Sequence, residues 1–323
     1  MTYYVTGATG FIGGRLLREL LRQGHQVVAL VRSLERAQDL EELGVTLFQG
    51  DITDIQSLRD SMPGVDGVFH VAAWYKVGVK NNKAYEINVE GTRNVLQVMQ
   101  ELDIPKGVYT STVAKNSDTH GELVDESYTF TGKHLSTYDK TKDQAHQVAQ
   151  QFIEQGLPLV IVMPGLVYGP GDTSSMGDAL RDYVRGKLPM VPKHTAFCWS
   201  HVDDIVDAHI AAMEKGTPGE SYIIAGPPHT FEVALDIAEQ VSGIAAPKLK
   251  VGPRLLRGLS KLSAVAERFV TLPPEFSSEG MRVIAGVTYL GDNSKAKAEL
   301  GYQPRPLAEG LKETLDAFQH QER

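Results

Sequence analysis

The sequence predicts an α/β fold: a doubly wound parallel sheet with a smaller C-terminal lobe. Two observations carry the prediction. Continuous apolar runs of strand length alternate with helical patterns through the first half of the chain. A glycine-rich turn also joins the first strand directly to the first helix. Strands buried on both faces read as unbroken apolar runs, and their alternation with helices builds βαβ units around a parallel sheet.

The elements follow in order. Residues 3–5 form the first strand, which runs into Thr6-Gly7-Ala8-Thr9-Gly10-Phe11-Ile12-Gly13, with an amphipathic helix over 14–23. Further strand runs occupy 27–31, 46–48, 67–72, 107–110 and 159–163. Helical patterns fill 34–43, 54–60, 84–101 and 138–156. A glycine turn between strand and helix lets the backbone approach a pyrophosphate and aims the helix N-terminus at it. Residues 1–164 are therefore expected to form a dinucleotide-binding domain of Rossmann type. After Gly165 the rhythm changes, with Gly169-Pro170-Gly171, Gly226-Pro227-Pro228 and Pro273-Pro274 punctuating shorter elements. Residues 165–323 read as the substrate-binding lobe, from which 201–215 is expected to return to the first domain. Internal repeats and low-complexity linkers are absent.

Composition narrows the function classes. The 323-residue chain carries a net charge of −8 and no long basic run, which disfavours nucleic-acid binding. One cysteine, Cys198, excludes an intrachain disulfide and fits a reducing cytoplasm. The first residues already belong to a strand, with no basic segment of a signal peptide before it. No apolar run is long enough to cross a bilayer. The ten histidines show no metal-ligand spacing, so no metal is expected.

The spacing Gly7-x-x-Gly10-x-x-Gly13 marks the cofactor turn, with Gly7, Thr9, Gly10, Phe11 and Ile12 as candidate contacts. The second strand ends in Leu30-Val31-Arg32-Ser33, where a carboxylate would bind a ribose hydroxyl and favour NAD. Arg32 offers instead a planar fork of donors suited to a phosphate, with Arg36 one turn on, which favours NADP(H) over NAD(H). Asp51 and Ile52 follow the third strand, where a carboxylate can accept from the adenine amino group. The bland alternative for Asp51 is a cap on the next helix, a place Thr53 or Asp54 can also fill.

Tyr138 and Lys142, four apart at the start of a helix, share one face. An ammonium beside a phenol is expected to lower its pKa and make it a usable acid or base. Thr110-Ser111-Thr112 closes the strand at 107–110, on the edge where ligands sit in such sheets. A hydroxyl there can donate to a substrate oxygen, and one of two adjacent hydroxyls is free to be structural.

With these residues in view, the chain resembles the extended (atypical) short-chain dehydrogenases/reductases of the NAD-dependent epimerase/dehydratase group. It is most similar to the dihydroflavonol-reductase-like and 3β-hydroxysteroid-dehydrogenase-like branch. The resemblance rests on the glycine turn, His70-Val71-Ala72-Ala73, Asn88-Val89-Glu90-Gly91-Thr92, the Tyr109-Thr110-Ser111-Thr112 segment, Tyr138/Lys142, Val167-Tyr168-Gly169-Pro170 and His201-Val202-Asp203-Asp204. It implies that Thr112 takes the place of the catalytic serine or threonine. It makes Tyr138 the proton donor and acceptor, with Lys142 its partner. It also implies that His70, Ala72, Ala73, Pro164 and Gly165 line the cofactor together with Tyr138 and Lys142, and that a homodimer through the helices at 88–101 and 138–156 is possible.

The departures select a branch. Nucleotide-sugar enzymes of this group usually carry an Arg and an Asn where this chain has Met163-Pro164-Gly165-Leu166. Dehydratases have an acid pair where it has Val113-Ala114. Phe197-Cys198-Trp199-Ser200 fills the stretch where an Arg commonly precedes His-Val-Asp-Asp. A sugar diphosphate would find few charged partners there. The expected substrate is a small, largely apolar carbonyl compound or secondary alcohol, with Trp74, Tyr75, Leu166, Tyr168, Met176, Met190 and Trp199 as a candidate wall. Tyr168 and Trp199 are favoured among these because they flank family motifs. The alternatives are an NAD-dependent nucleotide-sugar epimerase/dehydratase and a non-catalytic nucleotide sensor.

Residues 253–269 interleave Arg254, Arg257, Lys261 and Arg268 with Leu255, Leu256, Leu259, Leu262 and Val265. The expectation is a helix that packs its apolar stripe on the lobe. A membrane-surface helix is the alternative.

Overall fold

A computed structural model describes residues 1–78 and 83–321. The first half supplies β1 (Thr2–Thr6), α1 (Phe11–Arg22), β2 (Gln26–Val31), α2 (Gln38–Glu42), β3 (Thr46–Gln49), α3 (Ile55–Ser61), β4 (Gly67–His70), α4 (Lys83–Tyr85), α5 (Thr92–Glu101), β5 (Gly107–Thr110), α6 (Thr137–Glu154) and β6 (Leu159–Pro164). The second half supplies β7 (Leu166–Tyr168), α7 (Ser175–Val184), β8 (Val191–Pro192), β9 (Ala196–His201), α8 (Val202–Lys215), β10 (Ser221–Ile224), β11 (Pro228–Thr230) and α9 (Phe231–Ser242). It ends with β12 (Lys250–Val251), α10 (Pro253–Ala266), α11 (Ser278–Val283), β13 (Thr288–Tyr289), α12 (Ser294–Leu300) and α13 (Leu307–Gln321).

Seven parallel strands form the main sheet in the order β3-β2-β1-β4-β5-β6-β10. Helices cover both faces, so side chains on either side of a strand are interior. Tyr4, Leu159 and Ile161 belong to one core layer. Val5, Val160 and Val162, their neighbours along the same strands, belong to the layer on the opposite face.

The chain re-enters this domain further than 201–215. β10 pairs with β6, with Ser221 opposite Ile161. Ala296 and Leu300 of α12 join the core layer of Leu16 and Tyr222. The rest of the second half builds its own cluster around Tyr168, Trp199, Phe231, Leu311 and Phe318. It is braced by β9, which pairs with β7, β11 and β13.

Two helices depart from the pattern read in the sequence. The run at 84–101 is interrupted by a π-helical stretch, Glu86–Gly91. There a Cβ on Gly91 would sit 2.6 Å from Ile52 Cδ1, so the glycine lets this segment settle on the strand-end loop. α10 is the second case. It buries Leu256, Ser260 and Ser263 and leaves Leu255, Leu262 and Val265 exposed, so only part of the expected apolar packing forms. Its apolar residues form two stripes, and only the one containing Leu256 meets the lobe.

Candidate active site

The glycine turn lies at the carboxyl edge of β1. Gly7 has a positive φ of 74°, and a Cβ there would lie 2.8 Å from Ala72 N. A Cβ on Gly13 would fall on the Gly7 carbonyl oxygen. Both positions therefore demand glycine, and the turn closes with Gly10 N donating to Gly7 O at 2.9 Å. Gly10 is the N-cap of α1, with no side-chain cap and no acid in the first turn. The helices α3, α6, α7, α8 and α9 all have capping side chains. The first amides of α1 are thus left for an outside acceptor.

The other expected cofactor residues fall along the same edge. Arg32 directly follows β2 and is exposed, its side chain without a hydrogen bond or ion pair among the described residues. Asp51 accepts from Thr53 N at 3.0 Å and Thr53 Oγ1 at 2.9 Å. Asp54, not Asp51, caps α3 by accepting from Gln56 N. Ile52 is buried, and the exposed Thr9 stands beside half-buried Phe11 and Ile12. Thr6 Oγ1 accepts from the backbone N–H of Val71 and Ala72 at 3.1 Å each, which fixes the strand end before Ala73. Pro164 ends β6, and a Cβ on Gly165 would strike the Cys198 carbonyl.

Thr112 leaves β5 and starts a short turn, accepting from Ala114 N at 3.1 Å and donating weakly to Pro164 O at 3.5 Å. Its hydroxyl stands near the Tyr138 phenol, in the first turn of α6, and acts to lower the pKa of that phenol. Ser111 points elsewhere, pairing with His146 Nδ1 at 3.0 Å. Burial pushes the Tyr138 phenol up to about 12; the Thr112 hydrogen bond pulls it down and the Asp139 charge adds to the rise.

The expected lowering of the phenol by Lys142 is not what the structure holds. Lys142, 2% exposed, donates to Thr110 O at 2.8 Å and to Tyr109 Oη at 3.2 Å, and lies 4.9 Å from the Tyr109 ring centroid. The two side chains share a helical face, but the ammonium is drawn to stronger acceptors below it. Among the described residues no carboxylate partners it, and burial lowers its pKa to about 7.

A buried polar network supports the trio. His70 bridges Thr6 Oγ1 through Nδ1 at 2.8 Å and Thr92 Oγ1 through Nε2 at 2.9 Å, and it stacks on Tyr109. Burial holds it neutral, with a pKa near 3, so His70 acts as a brace between β1, β4 and α5. Asn88 clamps Trp74, accepting from its N–H at 2.6 Å and donating to its carbonyl at 2.9 Å, and also donates to Thr141 Oγ1 at 3.0 Å.

Asp139, beside Tyr138, is buried at 2% exposure. Its carboxylate accepts from Ser136 Oγ at 2.7 Å, Ser117 Oγ at 3.0 Å and Tyr289 Oη at 3.3 Å. Burial raises its pKa to about 6 against these hydroxyls, and the nearby Glu279 charge adds to the rise. Glu279 in turn accepts from Thr137 N at 2.8 Å, Thr137 Oγ1 at 2.7 Å and Gly78 N at 3.1 Å. Asp139, Glu279 and Tyr289 escape sequence reasoning, and Asn88 is read there as part of a family motif and not as the clamp on Trp74.

The substrate wall needs correction. Tyr168 and Trp199 are 0% and 1% exposed and lie in the core of the second lobe. Both sit on the inward face of the β7–β9 pair, Trp199 donating to His229 O at 3.2 Å and Tyr168 packed against Gly310. Met176 and Leu166 pack on the same core, and Met190 on the cluster of Val251, Leu256 and Ala285. Unlike Tyr168, Met176 and Trp199, Trp74 adjoins α6, because the Asn88 side chain that holds it also donates to Thr141. Its Nε1 is buried without a hydrogen-bond partner among the described residues. A cavity of about 700 Å³ lies elsewhere, between Leu123, Gly226, Asn293 and Pro304, and the trio does not line it.

Among the described residues one group of metal-ligand type gathers, at His201, Asp203 and Glu313. Both carboxylates are already engaged, Asp203 by Arg15 at 2.7 Å and Glu313 by Arg305 at 3.0 Å. None of the described helices is long and apolar enough to cross a membrane.

Known proteins share this architecture along the whole chain. A Synechocystis sp. chain provisionally named dihydroflavonol 4-reductase is 34% identical, covering 98% of this chain and 94% of its own. "Sterol demethylase protein B" of Methylococcus capsulatus is 31% identical over 94% of each. The solved structure of gox2253 superposes with a TM-score of 0.84 at 30% identity, covering 100% of this chain and 99% of the other. The profile of the NAD dependent epimerase/dehydratase family matches residues 3–225. With its uncapped glycine turn, its Thr112–Tyr138 pair and Lys142 beneath, the chain belongs to the NAD dependent epimerase/dehydratase family of extended short-chain dehydrogenases/reductases, in the dihydroflavonol-reductase-like branch.

Proposed function

We propose that this protein is an NADP(H)-dependent oxidoreductase acting between a carbonyl and a secondary alcohol on a small, largely apolar substrate in the cytoplasm. The observation that carries the reading is the Thr112 hydroxyl set near the Tyr138 phenol, at the same carboxyl edge of the sheet as the open N-terminus of α1. The residues present fit a dinucleotide: the first amides of α1 lack a cap, and Gly7 and Gly13 keep the turn too tight for any side chain. Gly7, Thr9, Gly10, Phe11 and Ile12 would hold the pyrophosphate. Arg32 would meet a ribose phosphate and Asp51 and Ile52 the adenine. Ala72, Ala73, Pro164 and Gly165 would flank the nicotinamide. When bound, the nicotinamide supplies the hydride for reduction or takes it in oxidation.

The chain's own residues handle the proton. A phenol with a pKa near 12 is fully protonated at neutral pH, which suits donation to a carbonyl oxygen. Thr112 holds that oxygen with a second hydroxyl and restores the hydrogen bond once the proton has moved. Lys142 fixes the strand end that carries Thr112, through Thr110 O. Trp74 supports an apolar wall with one free donor, its buried Nε1.

The relatives named for dihydroflavonol reduction and sterol demethylation support a hydrophobic ring-bearing substrate. A sugar diphosphate is disfavoured, because Cys198 and Trp199 are buried where charged contacts would be needed. The test is NADPH consumption across flavonoid, steroid and simple aromatic ketones. Turnover on at least one class, lost in Tyr138→Phe, is expected. Tightly held NAD in the purified protein, with no NADPH consumed on any carbonyl, would overturn it.

A further inference from the structure

Helix α10 wears its apolar residues on the outside. Leu255, Leu262 and Val265 are 59%, 68% and 54% exposed, and Phe269 in the following turn is 82% exposed. The inward positions include two serines, and both are accommodated. Ser260 Oγ donates to Ser278 O at 2.8 Å, and Ser263 Oγ meets Met281 Sδ at 3.7 Å. A surface helix ordinarily does the reverse, burying its leucines and exposing its serines.

The outer face is ordered. Positions 255, 258, 262, 265 and 269 recur every three or four residues and form one line, apolar apart from Gly258. Positions 254, 257, 261, 264 and 268 form the adjoining line and carry Arg254, Arg257, Lys261 and Arg268. All four cations are exposed, and among the described residues none of their side chains makes an ion pair or hydrogen bond. Elsewhere on this surface arginines find acids, as Arg59 finds Glu101 at 2.8 Å. The ridge continues through Val270 and Phe276, 55% and 50% exposed. It abuts the loop of Trp74 and Tyr75, since a Cβ on Gly78 would fall on Ser277 Oγ.

We infer that α10 and its following turn dock on the surface of an anionic lipid bilayer. The apolar line enters the boundary between headgroups and acyl chains, and the basic line lies at the level of the lipid phosphates. Charge complementarity selects this occupant. The chain carries a net charge of −8, yet this ridge gathers four unpaired cations in one row. A second copy is the poorer fit, because a symmetric contact would set the four cations against the same four. Docking there would also present an apolar substrate to the Trp74 loop without a passage through water.

The proposal stands apart from the reductase reading, because its readout needs no turnover. The full chain would be floated with vesicles of phosphatidylcholine alone, or with roughly one third phosphatidylglycerol added. Binding to the anionic vesicles only, weakened by salt, is expected. The Arg257→Gln/Lys261→Gln pair should weaken partitioning roughly twenty-five-fold, at about fivefold per cation. The Leu262→Ser/Phe269→Ser pair should weaken it by at least about tenfold. All four side chains are exposed, so unchanged unfolding midpoints would show that the variants fold. Failure to bind anionic vesicles at low salt would overturn the proposal, as would undiminished binding by both pairs. So would a stable dimer that Phe269→Ser dissociates.

Discussion

The Tyr289 hydroxyl donates to the Asp139 carboxylate at 3.3 Å, across 150 positions of chain. This bond ties the first turn of the catalytic helix to β13, in the lobe proposed to hold substrate. Asp139 neighbours Tyr138, so the bond sets both where the phenol stands and how strongly it keeps its proton. Burial holds the Asp139 pKa near 6, well above that of a free aspartate. The protonated form is therefore favoured by folding. The stability it contributes is complete below about pH 4 and is lost as pH rises through 6.

Asp139→Asn should accordingly flatten the pH dependence of stability between about 4 and 6, a term on the order of 3 kcal/mol. Urea unfolding midpoints of both proteins at the two ends of that window measure it. The same variant should lower the phenol pKa, since the Asp139 charge helps to raise it. The alkaline limb of kcat should then move to lower pH. An unmoved limb would confine Asp139 to a structural part.

Tyr138→Phe should bind NADPH as the parent does and lose turnover by a factor of about 10²–10⁴, the usual worth of a positioned acid. Fluorescence titration of the cofactor separates the two effects.

Lys142→Met should leave the unfolding midpoint no lower at pH 7, because the ammonium it removes is buried without an acid to pair with. Lys142's depressed pKa makes the parent lose stability as pH falls from about 10 towards 7, and the variant should lose that slope. Turnover should fall by at least about a hundredfold if the ammonium holds the reacting geometry.

Arg32→Ala should raise the Kd for NADPH by about tenfold or more, the worth of a charged hydrogen bond, and leave NADH within about twofold. Equal effects on both cofactors would argue against a phosphate contact.

Trp199→Ala should cost about 3–5 kcal/mol of stability, as for other large core aromatics. Trp74→Phe should cost far less, yet raise KM for a substrate that accepts a hydrogen bond from the indole. Calorimetry paired with steady-state kinetics distinguishes the two tryptophans.

Much of the fold and the layout of the proposed site were legible because both rest on local rules. Strand runs such as 159–163 are apolar throughout, since both faces of the sheet are covered. Gly7, Gly10 and Gly13 announce a turn that only glycine can make. Tyr138 and Lys142 stand one helical turn apart wherever the helix goes. What escaped depends on distant contacts. Tyr168 and Trp199 flank the right motifs, but the β7–β9 pairing aims them inward, and no short window of sequence reveals which face of an isolated strand is covered. The partners of Asp139 come from residues 117, 136 and 289, and only the folded chain assembles them. The direction of Lys142 was misjudged because spacing fixes a face and leaves the choice of acceptor open.

The return of the chain to the main sheet has a consequence for how the two lobes can be separated. β6 is an interior strand only because β10, some sixty residues later, lies against it. Cutting the protein after the last residue of β6 would leave a long apolar parallel strand with an open ladder edge, a template for self-adhesion. The nucleotide half is therefore not a module that can be lifted out or exchanged among relatives. A working chimera would have to carry α8, β10 and α12 along with it, threading the connections in between through the foreign lobe.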